Sequence, residues 1–187
     1  MSTEVERVCD AGQTAGLIKA VAEGIWDGSP AADSPVRLIG VRSQGVPLAE
    51  RLAAEAVSLG LEPPAVGAVD ITLYRDDLDD SPRWPVLRGT EIPFDVNGAD
   101  IVLVDDVIYT GRTIRAAINA VCDLGRPSRV RLAVLVDRGW RELPIQPDVV
   151  GLTLKTHRSD RVEVRLRPRD AVEEIVRTPA PRRASTS

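Results

Sequence analysis

Residues 101–113 read IVLVDDVIYTGRT: an apolar run, two adjacent carboxylates at Asp105 and Asp106, and a turn holding Thr110, Gly111 and Thr113. Two neighbouring carboxylates at the end of a buried strand repel each other unless something donates to both. A ribose does so with two vicinal hydroxyls. The turn that follows opens a helix, where backbone N–H groups and two threonine hydroxyls can converge on a phosphate. Sugar hydroxyls before and phosphate after fit one ribose 5-phosphate. The alternative, that the two aspartates only cap the turn and solvate the strand end, stays open, because Asp is a preferred turn residue. Other phosphate motifs are absent: there is no GxxxxGK[ST], and no GxGxxG follows an expected strand.

Alternating strands and helices position this segment. Leu17, Ile18, Val21, Ile25 and Trp26 recur at helical spacing, with Gly28, Ser29 and Pro30 as stop signals. A buried strand is expected over 36–41, a glycine-containing turn over 42–45, and a helix through Leu48, Leu52, Ala56 and Leu59, stopped by Gly60, Pro63 and Pro64. Residues 69–74 alternate like a half-buried strand. Residues 75–89, with four aspartates and two prolines, are too polar and broken for a core element and suggest either a functional lid or a solvated connection. A strand over 101–104, a helix faced by Ile114, Ala117, Ile118, Val121 and Leu124, and a strand over 130–136 complete a second strand-helix-strand unit. The order implies an α/β fold with a doubly wound parallel sheet. One domain over 1–178 and a disordered tail over 179–187 are expected.

Composition narrows the class. The chain has 187 residues, 43% of them hydrophobic and 28% charged, with a net charge of −4. That charge argues against a generic nucleic-acid binder, although residues 155–169 set six bases against two acids. Two cysteines, no CxxC pair and a single histidine support neither a disulfide framework nor a structural zinc site. No apolar stretch approaches a membrane span, and the start MSTEVERV lacks the form of a secretory signal, so a cytoplasmic location is expected.

The segment IVLVDDVIYTGRT is similar to the signature by which type I phosphoribosyltransferases bind phosphoribosyl pyrophosphate (PRPP). GVPLAERLA at 45–53, DITLYRDDL at 70–78 and GRPSRVRLAVLVDRG at 125–139, followed by RELPI, narrow the resemblance to the PyrR family of bifunctional pyrimidine-operon regulators with uracil phosphoribosyltransferase activity. The resemblance spans roughly 36–160. It implies a flexible lid, a small hood, and ribose hydroxyls held by Asp105 and Asp106. The 5-phosphate would lie on Tyr109, Thr110, Gly111, Arg112 and Thr113, with Val107 and Ile108 also part of the PRPP and nucleotide site. The turn Arg42 to Gly45, with Ser43, Gln44 and Gly45 as binding residues, would be the pyrophosphate loop, with Arg75 and Arg88 as pyrophosphate partners, and Val136, Asp137 and Arg138 would form part of a uracil pocket. The implied ligands are PRPP, uracil, UMP and UTP. The implied cofactor is Mg2+, held through PRPP and water rather than by direct protein ligands. A homodimer or larger homo-oligomer is also implied.

Three departures from the family pattern bear on function. Thr-Arg usually precedes the glycine of the pyrophosphate loop, and Ser43-Gln44 stands here, removing a fixed positive charge. If that guanidinium is useful, Gln44→Arg should raise turnover. RGHREL is replaced by RGWREL with Trp140, and GKNVPTSRSE by GLTLKTHRSD over 151–160. The last lies in a stretch associated with the RNA-binding face, for which Lys155, Arg158, Arg161, Arg165 and Arg167 are the candidates, with structured leader mRNA as the partner. In RVEVRLR three arginines share one strand face, which suits phosphate contact or simply an exposed outer face. Three functions stay in view: a UMP-forming enzyme that also regulates RNA, a nucleotide sensor with weak catalysis, and a phosphoribosyltransferase without RNA regulation.

Overall fold

Short runs of β-branched and aliphatic residues, buried on both faces, assemble the centre of the molecule. The computed structural model describes residues 5–27, 35–71 and 89–180. Strands β2 (Val36–Val41), β3 (Val66–Val69), β4 (Asp100–Ile108), β5 (Arg129–Asp137) and β6 (Val149–Thr153) form a parallel sheet in the order β3-β2-β4-β5-β6. Helices α1 (Ala11–Asp27) and α2 (Gly45–Ser58) cover one face. Helix α3 (Arg112–Cys122) covers the other. The pleat of β4 divides its side chains accordingly: Val102 and Val104 join α1 and α2, while Ile101 and Leu103 join α3. This is the expected doubly wound α/β sheet.

A second sheet is antiparallel, ordered β1-β8-β7, from β1 (Glu6–Cys9), β7 (Arg161–Arg165) and β8 (Glu174–Thr178). It is not a detached unit. Cys9, Val164, Leu166 and Ile175 lie in the same core as α1 and α2, so this small sheet sits as a hood on the main one. Its anchorage includes Arg51 of α2, which donates to Glu173 at 2.7 Å. The segment leaving β8 is also tied, since the Ala180 N–H donates to Asp160 Oδ1 at 3.2 Å.

The structure corrects several expected boundaries. Of the strand expected over 69–74, residues 72–74 lie outside the described residues, and the described strand there is β3, which ends at Val69; small Gly67 and Ala68 are its centre, and Ala68 exchanges two backbone hydrogen bonds with Glu91. Strand β4 does not stop at residue 104 but stays paired with β5 as far as Ile108 opposite Asp137, so both aspartates lie within the strand. Leu59 and Leu124, expected on apolar helix faces, lie past the helix ends and are exposed. The expected lid, with Arg75 and Arg88, falls outside the described residues apart from Gly89, as does the tail from residue 181.

Candidate functional site

The carboxyl end of β4 is the centre of a parallel sheet, where ligands collect in such folds. Asp105 is only 6% exposed there, and its Oδ1 accepts the Asp106 N–H at 3.0 Å. Burial pushes the Asp105 carboxyl well above the usual carboxylate range, and the charge of Asp106 adds to the rise. Burial raises Asp106 too, against the hydrogen bonds it accepts and the opposing charge of Arg169. Such a pair is costly to keep ionised, which marks a functional site more often than a solvated strand end.

Five residues after Asp106, Gly111 takes φ +90° at the N-cap of α3, a left-handed conformation that glycine adopts without strain. Gly111 itself offers no capping side chain, and only the Arg112 N–H has a local partner, the Thr110 hydroxyl at 3.4 Å, so further N–H groups of the first turn are available to an anion. The loop is braced from behind. The Thr110 carbonyl accepts the N–H groups of Glu142 and Leu143 at 2.9 and 3.2 Å. Arg112 pairs with Glu142 at 2.9 Å, and Arg141 donates to the Tyr109 carbonyl at 3.0 Å. Arg141 and Glu142 escaped sequence reasoning as supports. Their only signal was a charged RGWREL directly after a buried strand.

The turn over 42–45 lies against the same strand end. A Cβ on Gly45 would overlap the carbonyl oxygen of Val104, and one on Gly40 would sit 2.6 Å from the Gly45 carbonyl oxygen. Only bare backbone allows this approach. The Arg42–Ser43 peptide is cis. Arg42 turns toward the base of the expected lid, donating to the Gly89 carbonyl at 3.1 Å and pairing with Glu91 at 3.3 Å. Gln44 turns into the hood: its Nε2 donates to the Val164 carbonyl at 3.1 Å and to Asp170 Oδ2 at 2.8 Å. An arginine at position 44 would meet that carboxylate first. Gln44→Arg is therefore expected to leave turnover unchanged or lower, the reverse of what the loop sequence alone suggests. Steady-state kinetics of the purified variant would check this.

At the end of β5, Val136 is fully buried. The Asp137 carboxylate is committed to the Gly139 N–H at 2.8 Å and to Arg141 at 2.6 Å. The Arg138 guanidinium lies 4.1 Å from the centre of the Tyr109 ring and donates to the carbonyls of His157 and Arg158 at 3.1 and 3.2 Å. Burial lowers its pKa. These two side chains therefore hold the protein together, and what they leave for a ligand is backbone. The Asp137 and Arg138 carbonyls accept Leu154 N–H and the Thr156 hydroxyl, respectively, each keeping a second lone pair.

Comparison with known proteins identifies the family. A family model described as phosphoribosyl transferase domain matches residues 5–167. A bifunctional protein PyrR of Chloroflexus aurantiacus is 55% identical over 141 residues, 75% of this chain and 78% of its own. Another, of Deinococcus deserti, is 46% identical over 176 residues, 94% of this chain and 95% of its own. This chain belongs to the PyrR family. Among solved structures, a hypoxanthine phosphoribosyltransferase from Trypanosoma cruzi superposes with a TM-score of 0.70 at 18% identity, over 94% of this chain and 95% of that one. At that identity it speaks for the fold alone.

Within this PyrR-family chain the basic candidates are unequal. Arg158 pairs with Glu142 at 2.5 Å, Arg161 with Glu163 at 2.7 Å, and Arg165 with both Glu174 at 2.7 Å and Glu163 at 3.2 Å. Lys155 and Arg167 are exposed and form no ion pair among the described residues. Trp140, at φ +65°, is 44% exposed and donates from Nε1 to the Thr156 carbonyl at 3.0 Å. Its ring stands edge-on to His157. Among the described residues no three His, Cys, Asp or Glu side chains converge to hold a metal ion. The donors on offer are the hard carboxylate oxygens of Asp105 and Asp106, which suit a magnesium ion carried mainly by phosphates and water. Nor is any described helix long and apolar enough to cross a membrane.

Proposed function

We propose that this chain is a cytoplasmic uracil phosphoribosyltransferase that converts uracil and PRPP to UMP and pyrophosphate, and that it also binds structured leader mRNA in response to uridine nucleotides. One observation carries the enzymatic half. Buried Asp105 and half-buried Asp106 at the end of β4 lead through a short turn into the N-terminus of α3, an order that matches the two ends of a ribose 5-phosphate. The PyrR relatives at 46–55% identity support the choice of pyrimidine and the second role.

In this reading Asp105 and Asp106 accept hydrogen bonds from the ribose hydroxyls, and residues 109–113 hold the 5-phosphate. Residues 43–45 present backbone to the pyrophosphate, with Arg75 and Arg88 as its further partners, and the carbonyls at the end of β5 face the pyrimidine edge. A bond forms between a uracil ring nitrogen and the anomeric carbon as the bond to pyrophosphate breaks. The nitrogen's proton passes to pyrophosphate or water. Positive charge develops on the sugar ring, so the work of the site is positioning and charge stabilisation, with no covalent nucleophile. Magnesium, when bound with PRPP, would neutralise part of the pyrophosphate charge. Calorimetry should show UMP binding to the full chain and PRPP displacing it. If UMP binds but PRPP cannot compete, the shared-site reading fails.

The RNA role predicts a graded response along the basic segment. Arg167, which has no ion-pair partner among the described residues, should contribute more to phosphate binding than Arg165, which is held by two glutamates. Arg167→Ala is expected to reduce the salt slope of RNA affinity by about one, and Arg165→Ala by less. UMP should tighten RNA binding, and RNA should tighten UMP by the same factor. Filter binding at several salt concentrations, with and without UMP, measures both. Equal affinity with and without UMP, or for unrelated hairpins, would remove the regulatory half.

A further inference from the structure

A leaving pyrophosphate needs positive charge beside it, and the pyrophosphate loop of this chain has Gln44 at the position where its family usually has arginine. Neither side chain of the loop that could compensate does so. Arg42 is bound to the Gly89 carbonyl and Glu91. Gln44 is drawn into the hood, and its Oε1 is buried without a partner. What Gln44 holds there is a turn. Asp170 Oδ2, besides accepting from Gln44, accepts the Leu166 N–H at 3.0 Å, while the Asp170 N–H returns to the Leu166 carbonyl at 2.9 Å. Residues 166–170 are thereby fixed against the loop.

The residue that this latched turn presents is Arg169. It is exposed and forms no ion pair among the described residues. Together with Arg42, Ser43, Pro168 and one carboxylate, Glu50, it lines a cavity of about 320 Å³ directly beside the loop. It is also close enough to Asp106 for its charge to favour the ionised carboxylate. An exposed cation without an ion-pair partner among the described residues thus lines the cavity beside the pyrophosphate loop and acts on the charge of Asp106.

We propose that Arg169 binds the pyrophosphate group of PRPP, and that Gln44 is a positioning residue that fixes the hood turn carrying it. In this chain the loop's missing charge is supplied from the hood. The proposal rests on the PRPP reading of the site, so its test uses pyrophosphate as the probe and UMP as the control, on the full chain.

Arg169→Ala should weaken pyrophosphate binding by about tenfold or more, the scale of one charge-assisted contact, and raise KM for PRPP in parallel. UMP affinity and KM for uracil should hold. Arg169→Lys should recover part of the loss. Gln44→Ala should lower pyrophosphate affinity as well, and the double variant should be no weaker than Arg169→Ala alone, because both changes remove one contact. Wild-type pyrophosphate affinity in Arg169→Ala would overturn the proposal, as would an equal loss of UMP and pyrophosphate, or strictly additive losses in the double variant. A wild-type chain that binds neither probe would instead sink the PRPP reading itself.

Discussion

Replacing Asp105 and Asp106 together by asparagine will cut PRPP-dependent turnover by roughly 10²- to 10⁴-fold, the scale of two charge-assisted hydrogen bonds lost from the ribose. The same change will raise the melting temperature of the unliganded protein at neutral pH. Burial holds both carboxyls above their unfolded values, so between those values the folded chain retains protons that the unfolded chain has released. Stability from this pair is therefore greatest below the ordinary carboxylate value, and it is lost as pH rises through the raised ones. Asparagine has no charge to desolvate, and its Oδ1 can still accept the Asp106 N–H that Asp105 accepts. The gain over wild type should widen in thermal melts as pH rises above the ordinary carboxylate value. A variant less stable than wild type at pH 7, or one that keeps its PRPP affinity, would contradict the role assigned to these residues.

The second large effect concerns Gly45. An added Cβ overlaps the backbone oxygen of Val104, and neither atom belongs to a side chain that could rotate away. Gly45→Ala is expected to cost about 3 kcal/mol, the upper part of the usual overpacking range, and to move the start of α2 away from β4. Gly16 is the control. It is exposed within α1, has nothing within 4 Å of an added Cβ, and does not have a positive φ. Gly16→Ala should stabilise by about 0.5 to 1 kcal/mol through helix propensity alone. Urea unfolding of both variants gives the comparison. Equal small effects would show that the loop-to-strand contact is not tight.

The segment that builds the site was the most legible part of the chain, because chemistry and periodicity coincide there. The apolar run of β4 leads straight into two acids and a TGxT turn, and no other position offers that order. Side-chain commitments were not legible. Nothing local shows that Gln44 reaches Val164 and Asp170, 120 and 126 residues away, or that Arg42 turns toward Glu91. The alternation in RVEVRLR indicated strand β7, but the strand ends at Arg165 and leaves Arg167 in the following turn, and the neutralisation of Arg165 by Glu174 comes from a cross-strand pairing that periodicity cannot supply. Strands β1, β6 and β8 escaped notice because each is only four or five residues long and is defined by its partner rather than by its own pattern. Leu59 and Leu124 continued the apolar spacing past the real helix ends at Ser58 and Cys122.

The central claim is transfer of a phosphoribosyl group to uracil. It is tested most directly by PRPP-dependent turnover of the full chain with uracil, cytosine, orotate, hypoxanthine and adenine in parallel, following nucleotide and pyrophosphate together. The account predicts UMP and pyrophosphate in equal amounts from uracil, with kcat/KM exceeding that for each other base by about 10² or more, since a site whose carbonyls pair with one base edge leaves them unpaired with another. Preferred turnover of a different base, or pyrophosphate release without nucleotide from any of the five, would contradict it.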